Sequence, residues 1–506
     1  MRGLETDVKR SPLMAGPDVI VVGSGFGGLG CALSLCERGM RPLLLEALKY
    51  PGGCASTFTR DGYAFESGAT LFSGLAESQL FGRWVQRHGM GVQVAWIDPL
   101  VELRAPGLHL SVGRDRAAFV EHLAQLSGES APAVRRFFAL QQEVADVLWA
   151  LLDDPELLPP WSARTLLRHA SRLHRYAPLA GLVGRPLLAV MEDLGVAHVA
   201  PLRTWAHALC QITVQCGVEE AEAPFALATL DYAWRGTGHV VGGIGRLADG
   251  MVEAVRRAGG EVRFSERVTG LQRTGSTWQV RTTRGVYEAP AVVANLLPGD
   301  LSTLLGPGAS SPRLGELQQA VREGWGAAML YAVAEAPPGA HASAHHLELV
   351  SDASRPFTEG NHLFVSISAA DELHRAPKGM RTLTMSAHVL PSKLEGQTAE
   401  AQAAYVGGVQ ARMRETLASL APEWASNIHH LLPGSPRTFQ RFTRRTGGYV
   451  GGIPRRAGLH HYAHLSPLEA ADRVWLVGDS TFPGQGILAA ALGGVRVAEA
   501  VVRSVN

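Results

Sequence analysis

Cysteine is scarce in this chain: 506 residues hold five, with neither a Cys-x-x-Cys pair nor a Cys/His ligand spacing. That excludes a disulfide framework and a structural zinc site, and makes a reducing, cytoplasmic setting the expectation. An excess of one charge is missing too. Lys plus Arg number 47 against 46 Asp plus Glu, so bulk charge does not draw the chain to nucleic acid. The one dense basic run, residues 441–445, reads as a solvated face. No apolar stretch reaches the roughly 18 to 20 residues that span a bilayer. The opening 17 residues lack the apolar segment of a secretory signal, so export is not expected. Short apolar pieces such as residues 178–191 are suited to lying at a membrane interface.

What the chain does have is apolar surface to bury. A hydrophobic share of 46% and a charged share of 18% are those of a globular protein. The length allows about two to four domain-sized units. Residues 19–23, VIVVG, form a continuous apolar run of the kind that becomes a strand buried on both faces. It enters Gly23-Ser24-Gly25-Phe26-Gly27-Gly28 directly. Gly23 permits the tight turn, Gly25 leaves room for a pyrophosphate against the backbone, and Gly28 lets the next helix pack closely on the strand. The spacing predicts that helix over residues 29–38, closed by Gly39. A second strand, 42–45, ends at Glu46, whose carboxylate suits the two ribose hydroxyls of an unphosphorylated adenosine and disfavours NADP. Strand, glycines, helix, strand and acid define a dinucleotide site and leave FAD and NAD open.

Two further glycine-rich blocks follow, Pro51-Gly52-Gly53-Cys54 and the stretch from Asp61 through Gly68-Ala69-Thr70. Paired glycines make room for a planar or phosphate group, and the same residues read equally as hairpin turns. Near the C-terminus the pattern of strand, glycine loop and helix recurs: residues 474–477, then Gly478-Asp479-Ser480-Thr481-Phe482-Pro483-Gly484-Gln485-Gly486, then a helix over 487–502. Asp479 at a strand end suits a polyol such as a ribityl chain. Between the ends lie a glycine block at 236–245, a helix at 246–258, strands at 261–264 and 267–271, and a buried strand at 290–295. The expected architecture is α/β: a Rossmann-like FAD-binding domain of glutathione-reductase type from residues 15–72, 232–295 and 441–506. A mixed α+β substrate domain is expected from 73–231 and 296–440.

Taken together, the blocks VIVVGSGFGGLG, PGGCASTFTRDGYAFESGATLF, GHVVGGIGRLADGM, GGYVGGIPRRAGL and VGDSTFPGQGILAAALGG resemble the phytoene desaturase-related flavoproteins. The isomerase-like branch, acting on carotenoids such as prolycopene, is the most similar, through Gly-Asp-Ser-x-Phe-Pro-Gly-Gln-Gly. The resemblance implies FAD as cofactor, with Gly23, Ser24, Gly25, Phe26, Gly27 and Gly28 at the pyrophosphate and Glu46 at the adenosine ribose. It puts Gly52 and Gly53 along the cofactor, Gly68, Ala69 and Thr70 near the isoalloxazine, and the backbone of Val268 at the adenine. Gly478 and Asp479 would hold pyrophosphate and ribitol, and Gly484 and Gly486 would approach the flavin ring. Cys54 and His239-Val240 depart from the family, which more often has Arg and Tyr-Pro there.

The resemblance further implies an apolar polyene, isomerised or dehydrogenated, with the cofactor carrying the chemistry and no side chain required as nucleophile. Peripheral membrane contact follows from such a substrate. Competing readings are a flavin oxidase or saturase for a retinoid or an amine, and a polyene-binding protein without turnover. Adjacent histidines at 345–346, 429–430 and 460–461 point different ways, so no metal site is expected. His207, near Trp205, reads as tunnel lining or as a satisfied histidine at an interface.

Overall fold

The computed structural model describes residues 16–68, 70–309 and 311–505. Short, wholly apolar runs become parallel strands, as expected for segments covered on both faces. Val19–Val22 and Pro42–Leu45 pair in parallel, Val22 opposite Leu45. The sheet has six strands in the order Leu468–Ala471, Val474–Leu476, Val292–Ala294, Val19–Val22, Pro42–Leu45, Glu261–Arg263. Only its Leu468–Ala471 edge is antiparallel. Val22 also lies opposite Ala294, and Ala294 opposite Leu476. Four segments from distant parts of the chain therefore end side by side, delivering Gly23, Glu46, Asn295 and Val477 to one edge. The carboxyl ends of parallel strands are where such sheets bind ligands.

The helix after the first turn spans Phe26–Cys36, starting earlier than its apolar spacing indicates because Gly25, extended at φ −66° and ψ 168°, is its N-cap. The chain turns away through Gly39 at φ +79°. This helix lies against Ile487–Val505 at unusually close range. A Cβ on Gly494 would sit 2.3 Å from the Gly27 carbonyl, and one on Gly30 would sit 2.8 Å from that of Ala491. Backbone cannot yield as a side-chain tip can. Gly494→Ala is therefore expected to lower unfolding stability by about 1–3 kcal/mol, read as a lower urea midpoint at unchanged slope. An unchanged midpoint would mean that the helices are not in contact there.

A second, broader sheet has seven strands, ordered Ile428–Gly434, Gly326–Glu335, Met380–Val389, His362–Ile367, His345–Val350, Val101–Ala105, Leu108–Val112. Its long strand Gly326–Glu335 alternates by face. Ala328, Leu330, Ala332 and Ala334 pack toward the helix Ala399–Leu420, through Val406, Val409, Met413 and Leu417. Ala327, Met329, Tyr331 and Val333 face the other way, with Phe65 and Phe439. A helical layer built on Arg116–Leu126, Ala131–Asp153 and Ala200–Thr213 has its own core.

Two stretches assigned by sequence to the substrate-side unit pack elsewhere. Leu301, Leu305, Leu314 and Leu317 share a core with the parallel sheet, so the chain crosses to the broad sheet only near Gly326. Leu80, Phe81 and Trp84 belong to the same core as the first helix, Phe81 meeting Phe26 edge-on with ring centroids 5.8 Å apart. Composition hid both, because helices that cover a sheet carry the same Leu-rich spacing as helices of a separate layer. Among the described residues no helix is long and apolar enough to cross a membrane.

Candidate functional site

The first glycine turn is built as its residue types dictate. Gly23 takes φ +92°, and a Cβ on Gly28 would lie 2.0 Å from the Gly23 carbonyl, so position 28 is fixed by packing. Glu46 is buried. Its Oε2 accepts from the Ser24 N–H at 2.8 Å and hydroxyl at 2.6 Å, and Oε1 accepts from the Leu48 N–H at 2.8 Å. The acid is thereby aimed, with acceptor capacity left on Oε1. Gly52 and Gly53, at φ +105° and +62°, run beside the turn, the Gly52 N–H donating to the Ser24 carbonyl at 2.9 Å.

Asn295 joins this turn to the C-terminal loop. A Cβ on Gly25 would lie 2.5 Å from Asn295 Nδ2, and one on Gly27 or Gly478 would lie 2.8 or 2.9 Å from its Oδ1. A single asparagine thus fills the gap between glycines more than 450 residues apart. Gly478, Gly484 and Gly486 all take positive φ, at +125°, +114° and +91°. Asp479 accepts from Arg445 Nη2 at 3.0 and 2.9 Å on its two oxygens. The solvated face expected of residues 441–445 is corrected for one residue: Arg441 and Arg444 are exposed, but Arg445 turns inward because Asp479 and the Tyr449 carbonyl, 2.7 Å from its Nε, draw the guanidinium in.

A cavity of about 490 Å³ opens along this edge. Of the residues singled out by sequence, Gly23, Gly25, Phe26, Gly27, Glu46, Gly52, Gly53, Gly68, Thr70, Val268, Gly478, Asp479 and Gly486 line it. Ser24 and Gly28 stand behind the wall, in the roles just given. Gly484 is not among the lining residues. A Cβ there would meet Arg455 Nη2 at 2.8 Å, and that nitrogen donates to the Pro483 carbonyl at 2.9 Å. Ala69 lies outside the described residues. His207 does not line the cavity; it pairs with Glu219 at 3.3 Å and stacks on Phe357, the ordinary fate of a histidine at an interface.

Toward the broad sheet the cavity wall changes character. That sheet contributes Ala327, Met329, Phe364, Ser386, Ala387 and His388, apolar except for one hydroxyl and one imidazole. Burial, and next the charge of His362, pushes His388 down to about 3, so its ring is neutral at ordinary pH. Three buried acceptor atoms of cavity-lining residues have no hydrogen-bond partner: Thr70 Oγ1, Gln215 Oε1 and Gln485 Oε1. Buried polar atoms are rarely left unpaired. Of the lining just described, Asn295, Gln215, Gln485, His388 and Arg445 escaped the sequence reading. Only Asn295 left a sequence signal, an amide closing a buried strand.

Buried neutral imidazoles also set how the fold responds to acid. Burial pushes His345 down to about 4, and His346, His388 and His461 to about 3. Above about pH 6.5 neither the folded nor the unfolded rings hold the proton. As pH falls below that value the unfolded chain binds protons that the folded chain refuses, and stability drops. The melting temperature is expected to be flat from pH 8 to 7 and to fall steadily from pH 6 to 4. A flat profile down to pH 5 would show that these rings are not held neutral.

A crevice at the carboxyl ends of a parallel sheet, flanked by two glycine loops and an aimed acid, defines a Rossmann-like dinucleotide-binding oxidoreductase fold. A family model described as NAD(P)-binding Rossmann-like domain matches residues 21–87. The chloroplastic prolycopene isomerase of Arabidopsis thaliana is 25% identical over 506 residues, covering 97% of this chain and 83% of that protein. A neurosporene-forming phytoene desaturase of Cereibacter sphaeroides is 25% identical over 308 residues, covering 56% of this chain and 54% of its own. In fold, an oxidoreductase from Methanosarcina mazei matches with a TM-score of 0.64 at 15% identity, covering 95% of this chain and 99% of that one. In sequence the chain is thus similar to prolycopene isomerases and phytoene desaturases, at 25% identity.

Proposed function

We propose that the chain is an FAD-dependent enzyme acting on a carotenoid or related polyene, by cis-trans isomerisation or by dehydrogenation. The observation that carries this is the two-part cavity: polar and glycine-lined at the parallel sheet, apolar where the broad sheet forms its wall. Similarity to prolycopene isomerases over nearly the whole chain supports the same reading. The parallel sheet and its covering helices hold the cofactor, and the broad sheet with its helical layer holds the substrate. Glu46 meets the adenosine ribose and the Val268 backbone the adenine. The turn at Gly23, Gly25 and Gly27 receives the pyrophosphate at the N-terminus of Phe26–Cys36. Gly52, Gly53, Gly68 and Thr70 follow the cofactor, and Gly478, Asp479 and Gly486 close on it. Bound FAD supplies reversible exchange of a hydride or electrons with a conjugated chain, net in dehydrogenation and returned in isomerisation.

The protein's own contribution is position and dryness. Ala327, Met329, Phe364 and Ala387 offer dispersion contact along a hydrocarbon and no water-binding group. Neutral His388, edge-on to Trp325, adds no charge. The broad sheet's part of the wall holds no carboxylate among the described residues, so an amine substrate gains no counter-charge there. A polyene partitions into lipid, and peripheral contact with a membrane goes with this reading.

Incubating oxidised and chemically reduced protein with cis-carotenes, then separating the products by chromatography, tests the proposal. An altered cis/trans pattern at unchanged mass selects isomerisation, and loss of two hydrogens selects dehydrogenation. An unchanged carotene pool under both conditions sinks the proposal.

A further inference from the structure

Residues 161–175 take no part in the wall of the main cavity and, Thr165 aside, none of them is buried. Residues 157–191 contain five arginines and no Asp or Glu. Within them, the helix Ala163–Ser171 and the turn Leu173–Leu179 stand out from the helical layer with large apolar side chains turned to solvent. Leu167 is 73% exposed, Leu173 70%, Leu166 52% and Trp161 48%. Soluble surfaces seldom gather exposed leucines with a tryptophan. Arg168 is neutralised by Asp154 and Glu156, and Arg185 by Asp193. Arg164, Arg172 and Arg175 have no acidic partner among the described residues.

The segment is tied to the candidate site. Buried Arg496, on the C-terminal helix, donates to the Pro159 carbonyl at 2.8 Å and to the Phe482 carbonyl at 3.0 Å, joining the base of the segment to the C-terminal glycine loop. A second cavity of about 160 Å³ shares Thr213, Tyr232, Gln485 and Gly486 with the main one. Its other walls are largely apolar, including Trp149, Phe225, Leu488 and Leu158. After Leu158 the chain passes through Pro159 and Pro160 directly into Trp161.

We infer that residues 161–175 are a docking surface for an anionic phospholipid bilayer, seating the protein so that the second cavity opens toward the lipid. The leucines and Trp161 enter the headgroup boundary, and Arg164, Arg172 and Arg175 meet lipid phosphates. Charge complementarity selects a membrane over a second copy of this chain, since two such surfaces face to face would oppose arginine to arginine. Docking stands on the surface alone; delivery of a polyene through it rests on the function proposed above.

The test uses the full-length FAD-loaded protein, sedimented with phosphatidylcholine vesicles with or without phosphatidylglycerol. The wild type is expected to bind the phosphatidylglycerol vesicles, more weakly as salt rises. Replacing the three arginines together, Arg164→Ser, Arg172→Ser and Arg175→Ser, is expected to weaken that binding roughly 100-fold. The pair Leu167→Glu and Leu173→Glu is expected to abolish it. Both variants should keep full flavin absorbance and the wild-type rate on detergent-dispersed carotene, and lose turnover of carotene embedded in vesicles. Wild type that does not sediment, or variants that sediment like it, overturn the inference. A leucine variant whose only change is loss of a dimer in gel filtration also overturns it, assigning the patch to a second copy. Wild type that sediments but converts no carotene leaves docking standing and defeats the proposed activity.

Discussion

Protein carrying Gly25→Val is expected to purify folded but colourless, with no flavin absorbance even after FAD is added. The backbone at position 25 is extended at φ −66°, which any residue adopts, so the substitution introduces no torsional strain. The obstacle is space. Any Cβ there points at Asn295 Nδ2 from 2.5 Å, and the asparagine is itself wedged against Gly27 and Gly478. Valine either fills the groove proposed for the pyrophosphate or drives the Asn295 amide into it. Losing two charge-assisted hydrogen bonds from backbone N–H groups, at about 1.5–3 kcal/mol each, weakens FAD by roughly a hundred-fold or more. Titration of apoprotein with FAD by flavin fluorescence reads this directly. A variant that retains FAD with wild-type affinity would show that the phosphates lie elsewhere.

The largest loss of stability is expected from Arg375→Met. Arg375 is buried between two carboxylates, 3.2 Å from Glu66 and 3.8 Å from Glu372, and also donates to the Ala64 carbonyl at 3.3 Å. Glu66 accepts from the Thr57 hydroxyl at 2.8 Å and the Ile244 N–H at 3.2 Å. Glu372 lies 2.9 Å from His239 Nε2 and accepts from the Gly242 N–H at 2.8 Å. Burial alone would raise Glu372, but His239, Arg375 and Gly242 outweigh it and hold its carboxyl at about 2. Methionine leaves two buried carboxylates without a guanidinium, a change that costs about 3–5 kcal/mol. Urea denaturation measures it. Adding Glu66→Gln should recover part of the loss, which an effect of packing alone would not allow. The same network occupies His239: its imidazole and the Gly242 N–H tie the middle glycine block to Glu372, in the loop between the broad-sheet strands His362–Ile367 and Met380–Val389.

How far the sequence could be read depended on distance along the chain. The turn at Gly23, the acid Glu46 and the loop at Gly478 are each complete within a few residues, and each left a motif. Asn295, Arg445 and Gln215 matter only because separate segments meet, and a lone Asn, Arg or Gln has no spacing to betray it. Asp479 illustrates the difference. Its place at a strand end was legible, whereas its tie to Arg445 depends on how residues 441–445 return across the fold. The loop's path was not legible either: with three glycines at positive φ it turns more sharply than its motif discloses, and a side chain on the middle one would meet Arg455. Leu301 and Leu314 cover the parallel sheet from a stretch whose composition matches the other layer, so composition alone does not assign them.

The meeting of four strand ends at one edge has a consequence in time. Val474–Leu476 reaches Val19–Val22 only through Val292–Ala294, so the first strand emerges from the ribosome hundreds of residues before its sheet can close. Pairings of such long range form late in folding, after a large entropic cost of closing the intervening loops. Asn295 must come into place before the glycine turn at 23–28 has its far wall, and Gly478 must follow. A nascent chain displays the glycine turn at 23–28 long before Val474–Leu476 can dock, so the cleft is complete only once that distant strand has joined the sheet.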